Sequence, residues 1–471
     1  MNRSKHGSAH AIDMLHGGIW NKIPQFALPL ACTGILEQLF NATGIAIAGN
    51  FAPVNGTAAI AAIGANTPII GFIVSLFIGI SLGANVAIAI AIGRGDSRAV
   101  HRHVHTAVVM SAAGGLLVTL LGELAAEPVL KLLNIPEEVL PLALLYLRIY
   151  LAGMPAILLF TFEAAVFRSI GDSRTPLAVL AMAGVLNVLL SLFFVAVLGM
   201  TVNGTALATV LANIFGCLLL LRGLTRTHSI IRVRFGLLRA DRGSLKQILR
   251  TGLPAGVQSG VFNGANIVVQ AFINNLGTNV LAASSAALCI ELVTCYVLTS
   301  FGQACTTFVG QNYGAGQIRR CRRIFVLCLA ESCLAAASAV LLILFFGRFA
   351  LSLFNADPQV IELGYLRLII IFIAYIFTML YEVMSGYLRG FGITFVPAIL
   401  TVIGICVFRI VYMLFFLPLN ADFKTILMVY PCSLSLTAAL MFAALLVYAP
   451  ARRHAGLESG RRAGSHPETA D

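Results

Sequence analysis

RGLTRTHSIIRVRFGLLRADRGSLKQILR, residues 222–250, is the one long polar stretch in an otherwise apolar chain. It carries Arg222, Arg226, Arg232, Arg234, Arg239, Arg242, Lys246 and Arg250 against the single acid Asp241. Apolar sequence of similar length flanks it on both sides. Positive charge is retained on the cytoplasmic side of a bilayer, so a basic block between two apolar halves reads as a cytoplasmic connector. The polypeptide is then two membrane halves joined by a tether.

Composition agrees. Of the 471 residues, 59% are hydrophobic and 11% charged, whereas about a quarter of the residues of a soluble domain are charged. The net charge of +12 falls in short loops between apolar runs, without aromatic interleaving or a nucleic-acid-binding signature. Membrane orientation accounts for it, and no nucleic acid partner is expected. The ten cysteines lie mostly inside apolar runs with no Cys-x-x-Cys pair, so neither disulfides nor a metal site is implied. Residues 1–22 are polar, carry Arg3, Lys5 and Lys22, and show no signal-peptide pattern.

A membrane-spanning helix needs about 20 apolar residues. By that measure twelve spans are expected, near 23–48, 58–92, 104–125, 139–166, 177–198 and 204–222, then 250–274, 280–311, 324–347, 359–387, 395–416 and 425–448. The tails, the central connector and the loops after spans 2, 4, 8 and 10 hold 25 of the 31 Lys and Arg, which puts both termini in the cytoplasm. An internal repeat supports the division. Gly93, Gly95, Arg98, Arg102, Arg168, Gly171 and Pro176 recur at one offset as Gly314, Gly316, Arg319, Arg323, Arg389, Gly392 and Pro397. Six spans per half make the halves parallel copies related by a pseudo-twofold axis along the membrane normal. The expected fold is an all-α membrane protein of twelve transmembrane helices in two six-helix lobes. Its parts are a tail at 1–22, a first lobe at 23–222, a linker at 223–249, a second lobe at 250–449 and a tail at 450–471.

No phosphate-binding loop, His-Glu-x-x-His or Gly-x-Ser-x-Gly motif is present, so an enzyme is not expected and an ion gradient is the natural energy source. A charge at the bilayer centre costs about 2.5–3.5 kcal/mol even on lenient scales, which makes polar residues inside the spans the candidates for function. Four acids stand out. Glu37 lies midway along span 1, with Asn41 and Gly44 on the same face; it is either a proton-binding group or a neutral acid bonded to its own helix. Glu291 in span 8 either faces the cleft or pairs with Arg409 in span 11. Glu163 and Glu382 read as structural, partnered by Arg168 and Arg389 on the same helices. Arg148 and Arg367 read as snorkelling to headgroups. Gln258, Asn263, Asn266 and Gln270 form an amide stripe on span 7 that either joins helices or lines the cleft.

Five stretches together resemble the multidrug and toxic compound extrusion (MATE) family across the membrane region: Gln38-Leu39-Phe40-Asn41, residues 167–176 (FRSIGDSRTP), residues 252–256 (GLPAG), residues 308–315 (FVGQNYGA) and residues 388–392 (LRGFG). The resemblance implies a V-shaped pair of six-helix bundles that exports amphipathic, often cationic, compounds in exchange for protons or sodium ions. It also implies an aspartate at the position of Gly44, and an asparagine and an aspartate at Asn187 and Ser191, with Thr209 in the same cluster. Both aspartates are absent here, and the acidic positions of another branch are Phe262 and Thr378. The expectation is that Glu37 takes over as coupling acid with Asn41, Asn187, Ser191 and Thr209, while Glu291, Glu382, Gln258, Asn263 and Asn266 belong to the substrate cleft. The coupling ion is H+ or Na+, with the proton favoured, and no other cofactor is implied. The expected setting is a monomer in a bacterial plasma membrane. A flippase of a lipid-linked or peptide intermediate and a non-transporting receptor or scaffold are the alternatives.

Overall fold

The computed structural model describes residues 10–51, 56–133, 135–274, 276–416 and 422–448. The start of the N-terminal tail and the C-terminal tail expected at 450–471 lie outside them. Among the described residues the regular elements are all helices: α1 Lys22–Phe51, α2 Gly56–Gly93, α3 Ser97–Leu132, α4 Leu140–Ala152, α5 Met154–Ser169, α6 Arg174–Leu192, α7 Val202–Arg226, α8 Arg242–Asn274, α9 Thr278–Gly314, α10 Ile318–Ser352, α11 Pro358–Gly390, α12 Phe395–Thr401, α13 Phe408–Phe416, α14 Phe423–Leu427 and α15 Val429–Tyr448. Short π-helical turns, Phe193–Val197 and Val402–Val407, continue α6 and join α12 to α13.

Local chemistry sets the ends. Asp96 caps α3 by accepting the Ala99 N–H at 2.9 Å, and that bond, with Arg102 and Arg98 nearby, holds its carboxyl below the usual range. Asp357 caps α11 by accepting from Gln359 N at 2.8 Å, with Pro358 at the first helical position. The repeated glycines turn the chain as their spacing predicts. Gly95 and Gly316 have φ +70° and +72°, and Gly171 and Gly392 have +89° and +80°, a left-handed backbone that side chains with a Cβ resist.

Ten helices or helix runs among the described residues are long and apolar enough to cross a membrane, and α4 with α5 makes an eleventh. The helix expected at 139–166 is broken, with α4 and α5 bent by 50°. Pro155 lacks the N–H that would bond back to Leu151, and the orphaned Leu151 carbonyl instead accepts the Thr119 hydroxyl of α3 at 2.6 Å. The remaining expected span is α8, as long as the others but diluted by its amides and by Arg242, Lys246 and Arg250.

The chain forms two compact units. One comprises Gln25–Ile88 and Asp96–Val268 with the chain up to Ile12; the other comprises Asp13–Pro24, Ala89–Gly95 and Val269 onward. In the first, Leu130, Leu147, Leu151, Leu158 and Val202 pack α3, α4, α5 and α7 together, and Ile80, Ala84, Ala107, Phe162 and Ile248 tie α2 to α3, α5 and α8. In the second, Leu298, Ile343, Leu368, Ile371 and Phe372 join α9, α10 and α11.

The basic connector is more than a tether. Ile231 and Val233 are buried, Val233 N donates to Leu224 O at 3.0 Å, Arg234 N donates to His105 Nε2 at 3.2 Å and Asp241 N to Thr106 Oγ1 at 3.0 Å. Two β-branched residues among the arginines supply an apolar anchor, so the segment docks on α3 within the first unit.

Candidate functional site

In the first unit, Glu37 and Asn41 project from an accessible face of α1. The groups within electrostatic range of Glu37 are Arg168 at the end of α5 and Tyr150 on α4. Gly44, two turns further along, borders open space: a Cβ there would meet nothing within 4 Å. Helix α6 approaches α1 through Gly184, where a Cβ would stand 1.8 Å from Phe40 Cε2. Asn187 and Ser191, three and seven residues past Gly184, share that face. The Asn187 amide donates to Thr209 Oγ1 of α7 at 3.1 Å, and the Thr209 hydroxyl donates to Thr205 O at 2.9 Å. Ser191 is buried, and its hydroxyl has no hydrogen-bond partner among the described residues. Asn187 and Thr209 are thus in contact, with Ser191 one turn away and Glu37 and Asn41 on the neighbouring α1.

The amide stripe of α8 is divided in use. Asn263 donates to Ser75 Oγ of α2 at 2.7 Å, so it joins helices. Gln258 is buried, Asn266 is half-buried, and Gln270 bonds within its own helix to Asn274 at 2.9 Å.

In the second unit one buried acid is firmly paired. Glu291 of α9 does not reach Arg409; it is gripped by Arg367 of α11, whose Nε and Nη2 donate to the two carboxylate oxygens at 2.7 and 2.9 Å. Arg367 also donates to Ser284 Oγ, and Tyr375 OH donates to Glu291 O at 3.0 Å. With 1% of its side chain exposed, Arg367 is a buried ion-pair partner rather than a snorkelling residue. Arg148 differs: half exposed, it lies 3.6 Å from Glu123. Arg409 donates to Ser433 Oγ at 3.1 Å and lies 4.6 Å from the centre of the Tyr430 ring. Glu382 lies within electrostatic range of Arg389 and of its neighbour Tyr381.

Two acids depart from the sequence reading. Glu163 is fully buried and its carboxyl oxygens find no hydrogen-bond partner among the described residues, since Arg168 on the same helix acts on Glu37 instead. Glu331 of α10 is a fifth membrane acid, absent from the candidates above; it is 5% exposed, with both oxygens likewise unpartnered among the described residues. Its signal was an acid seven residues inside the run 324–347.

Comparison with known proteins shows the family. The sequence profile described as MatE matches residues 29–193 and 254–415. The probable multidrug resistance protein YpnP of Bacillus subtilis is 26% identical over 405 residues, covering 85% of this chain and 88% of that protein. The FAD transporter of Shewanella oneidensis is 27% identical over 317 residues, covering 65% and 69%. The fold superposes with a TM-score of 0.84 on the outward-facing structure of a multidrug resistance MATE family transporter of the MOP superfamily, at 20% identity over 97% of this chain and all of that one. Two long profile matches, a helical fold shared end to end and a membrane interior carrying acids and amides place the chain in the MatE family, whose members are multi-pass membrane transporters and not enzymes.

Proposed function

We propose that the chain exports small amphipathic, cationic compounds by cation antiport with alternating access, driven by protons in preference to sodium. It works as a monomer in a bacterial plasma membrane with both termini cytoplasmic. The observation that carries the reading is Glu37: an accessible carboxylate on α1, beside the open space at Gly44 and adjoining the helix that bears Asn187 and Ser191. Within electrostatic range of it are one guanidinium, Arg168, and the Tyr150 hydroxyl. Hard cations take several oxygen ligands, whereas a proton needs one carboxyl, and Arg168 supplies a countercharge once the proton has left. Glu382, Gln258, Asn266 and the paired Glu291 and Asn263 remain the cleft candidates, with Glu382 as the acid best suited to a cationic cargo. The N-terminal segment supports the orientation, because Asn312 Nδ2 and Arg320 Nη1 at the basic turn after α9 donate to Met14 O and Gly17 O at 3.0 Å.

The test is export of a fluorescent organic cation from everted vesicles under an imposed proton gradient or an imposed sodium gradient, for wild type and Glu37→Gln. Proton-driven export that the substitution abolishes is the expected result. Export driven by sodium alone, or unchanged by the substitution, refutes it. A second reading, an anionic cofactor-sized cargo, is favoured by the relative named as an FAD transporter. Flavin adenine dinucleotide uptake by the same vesicles distinguishes it.

A further inference from the structure

We infer that Glu163 is a second proton-carrying group of the first unit, seated in the seam between α5 and α7. It deepens the proton-coupled reading above and rests on it. The seam is tight. Helices α5 and α7 run side by side, with Phe160 against Gly216 and Phe167 against Gly223, where an added Cβ would meet the rings at 3.2 Å. Glu163 lies between these two contacts, 0% exposed. The helices packed on α5 are α2, α3, α4, α6, α7 and α8; α2 carries no ionisable side chain, and the Cys217 thiol of α7 is the titratable group among them that acts on Glu163. A thiol is a weak donor, and neither carboxyl oxygen has a partner at hydrogen-bonding geometry among the described residues. The cations of those helices are placed elsewhere: Arg98 and Arg102 lie in the first turns of α3 and Lys131 near its end, paired with Glu127; Arg148 is near Glu123, Arg174 opens α6, Arg222 and Arg226 fall in the last turns of α7, and Arg242, Lys246 and Arg250 lie in the first turns of α8. On α3, His101, His103 and His105 lie in the first turns, and His105 holds the connector.

An ionised carboxylate buried in this way costs several kcal/mol, so Glu163 holds its proton in this conformation. A purely structural position would not require an acid: the seam offers it only the weakly bonding Cys217 thiol, and leucine or methionine would fill the volume without a buried polar group. Carriage explains the acid. When the seam opens to water the O–H bond breaks, the proton passes to water, and the carboxylate that remains is hydrated; closing the seam requires a proton from solution again. Glu163 and Arg168 stand on the same α5, and Arg168 acts on Glu37, so movement of this one helix alters the surroundings of both acids.

The experiment measures transport against pH in everted vesicles, and proton release on adding an organic cation to the purified, weakly buffered full-length protein. Wild type, Glu37→Gln and Glu163→Gln are compared. Glu163→Gln is expected to elute as folded protein, to release one proton fewer per chain, and to lose one limb of the pH profile. A folded Glu163→Gln with the wild-type profile and proton count overturns the inference while leaving the Glu37 reading standing. Wild type driven by sodium and not by protons overturns both. Should Glu163→Gln fail to fold, Glu163→Asp decides: the infrared band of the protonated carboxyl and the pH profile must both move, and an unmoved band and profile overturn the proposal.

Discussion

The Arg367–Glu291 pair offers the sharpest test of how the second unit is held together. Each partner is buried, with 1% and 6% of the side chain exposed; the contact is bidentate, and the third arm of the guanidinium reaches Ser284. Removing one partner strands the other charge, which costs about 3–5 kcal/mol, whereas replacing both by apolar residues of similar volume is close to neutral. For a unit of about 200 residues such a loss lowers the melting midpoint by roughly 6–20 °C. The perturbations are Glu291→Leu, Arg367→Leu and the double substitution, each followed in detergent by thermal unfolding with a probe confined to the second unit. The expected pattern is two severely destabilised single variants and a double variant that regains most of the loss, a coupling of at least about 2 kcal/mol. Single variants costing under about 1 kcal/mol, or a double variant whose loss is the sum of the singles, would refute the reasoning. Either result would mean that water or another group reaches the pair.

Two further outcomes follow from contacts outside that pair. A Cβ on Gly386 would stand 2.2 Å from the Gly302 carbonyl, against backbone that cannot yield, while one on Gly184 meets the movable ring of Phe40; Gly386→Ala is therefore expected to cost more than Gly184→Ala, which falls near 1–3 kcal/mol, and equal thermal shifts would count against this packing. His105→Ala removes the acceptor of the Arg234 N–H, so trypsin is expected to cut the connector at Arg232, Arg234 or Arg239 severalfold faster than in wild type, with an unchanged cutting rate as the contrary result.

The span pattern was legible because apolar runs of the required length have few other uses, and the repeat was legible because Gly95, Gly171, Gly316 and Gly392 each serve a backbone conformation that glycine alone adopts easily. What stayed hidden depends on which helix faces which. Counting along one helix paired Glu163 with Arg168, five residues apart, yet Arg168 acts on Glu37 of α1. The same counting succeeded for Glu382 and Arg389 because seven residues is two turns and keeps one face. Arg148 and Arg367 occupy similar places in the two halves, and nothing in their own segments distinguishes an accessible arginine near Glu123 from one sealed against Glu291. The docked connector was obscured by its own charge: Ile231 and Val233 stand among arginines, and averaging over the stretch conceals them.

The partners so exchanged bear on where proton binding is concentrated. In the second unit Glu291 is locked to Arg367, and Arg389 lies within electrostatic range of Glu382. In the first unit Arg148 lies near Glu123, and Arg168, in the last turn of α5, acts on Glu37 and leaves Glu163 without a countercharge. A low-dielectric interior resists an excess of charge, so one of the two acids must be neutral whenever Arg168 balances the other. On the coupling reading proposed above, Glu163, sealed from water, keeps its proton in this conformation, and Glu37, accessible and within range of Arg168, exchanges its own. On the same reading, a conformational change that wets the α5–α7 seam reverses those assignments, and proton stoichiometry measured on Glu37→Gln and Glu163→Gln separately must then fall in both.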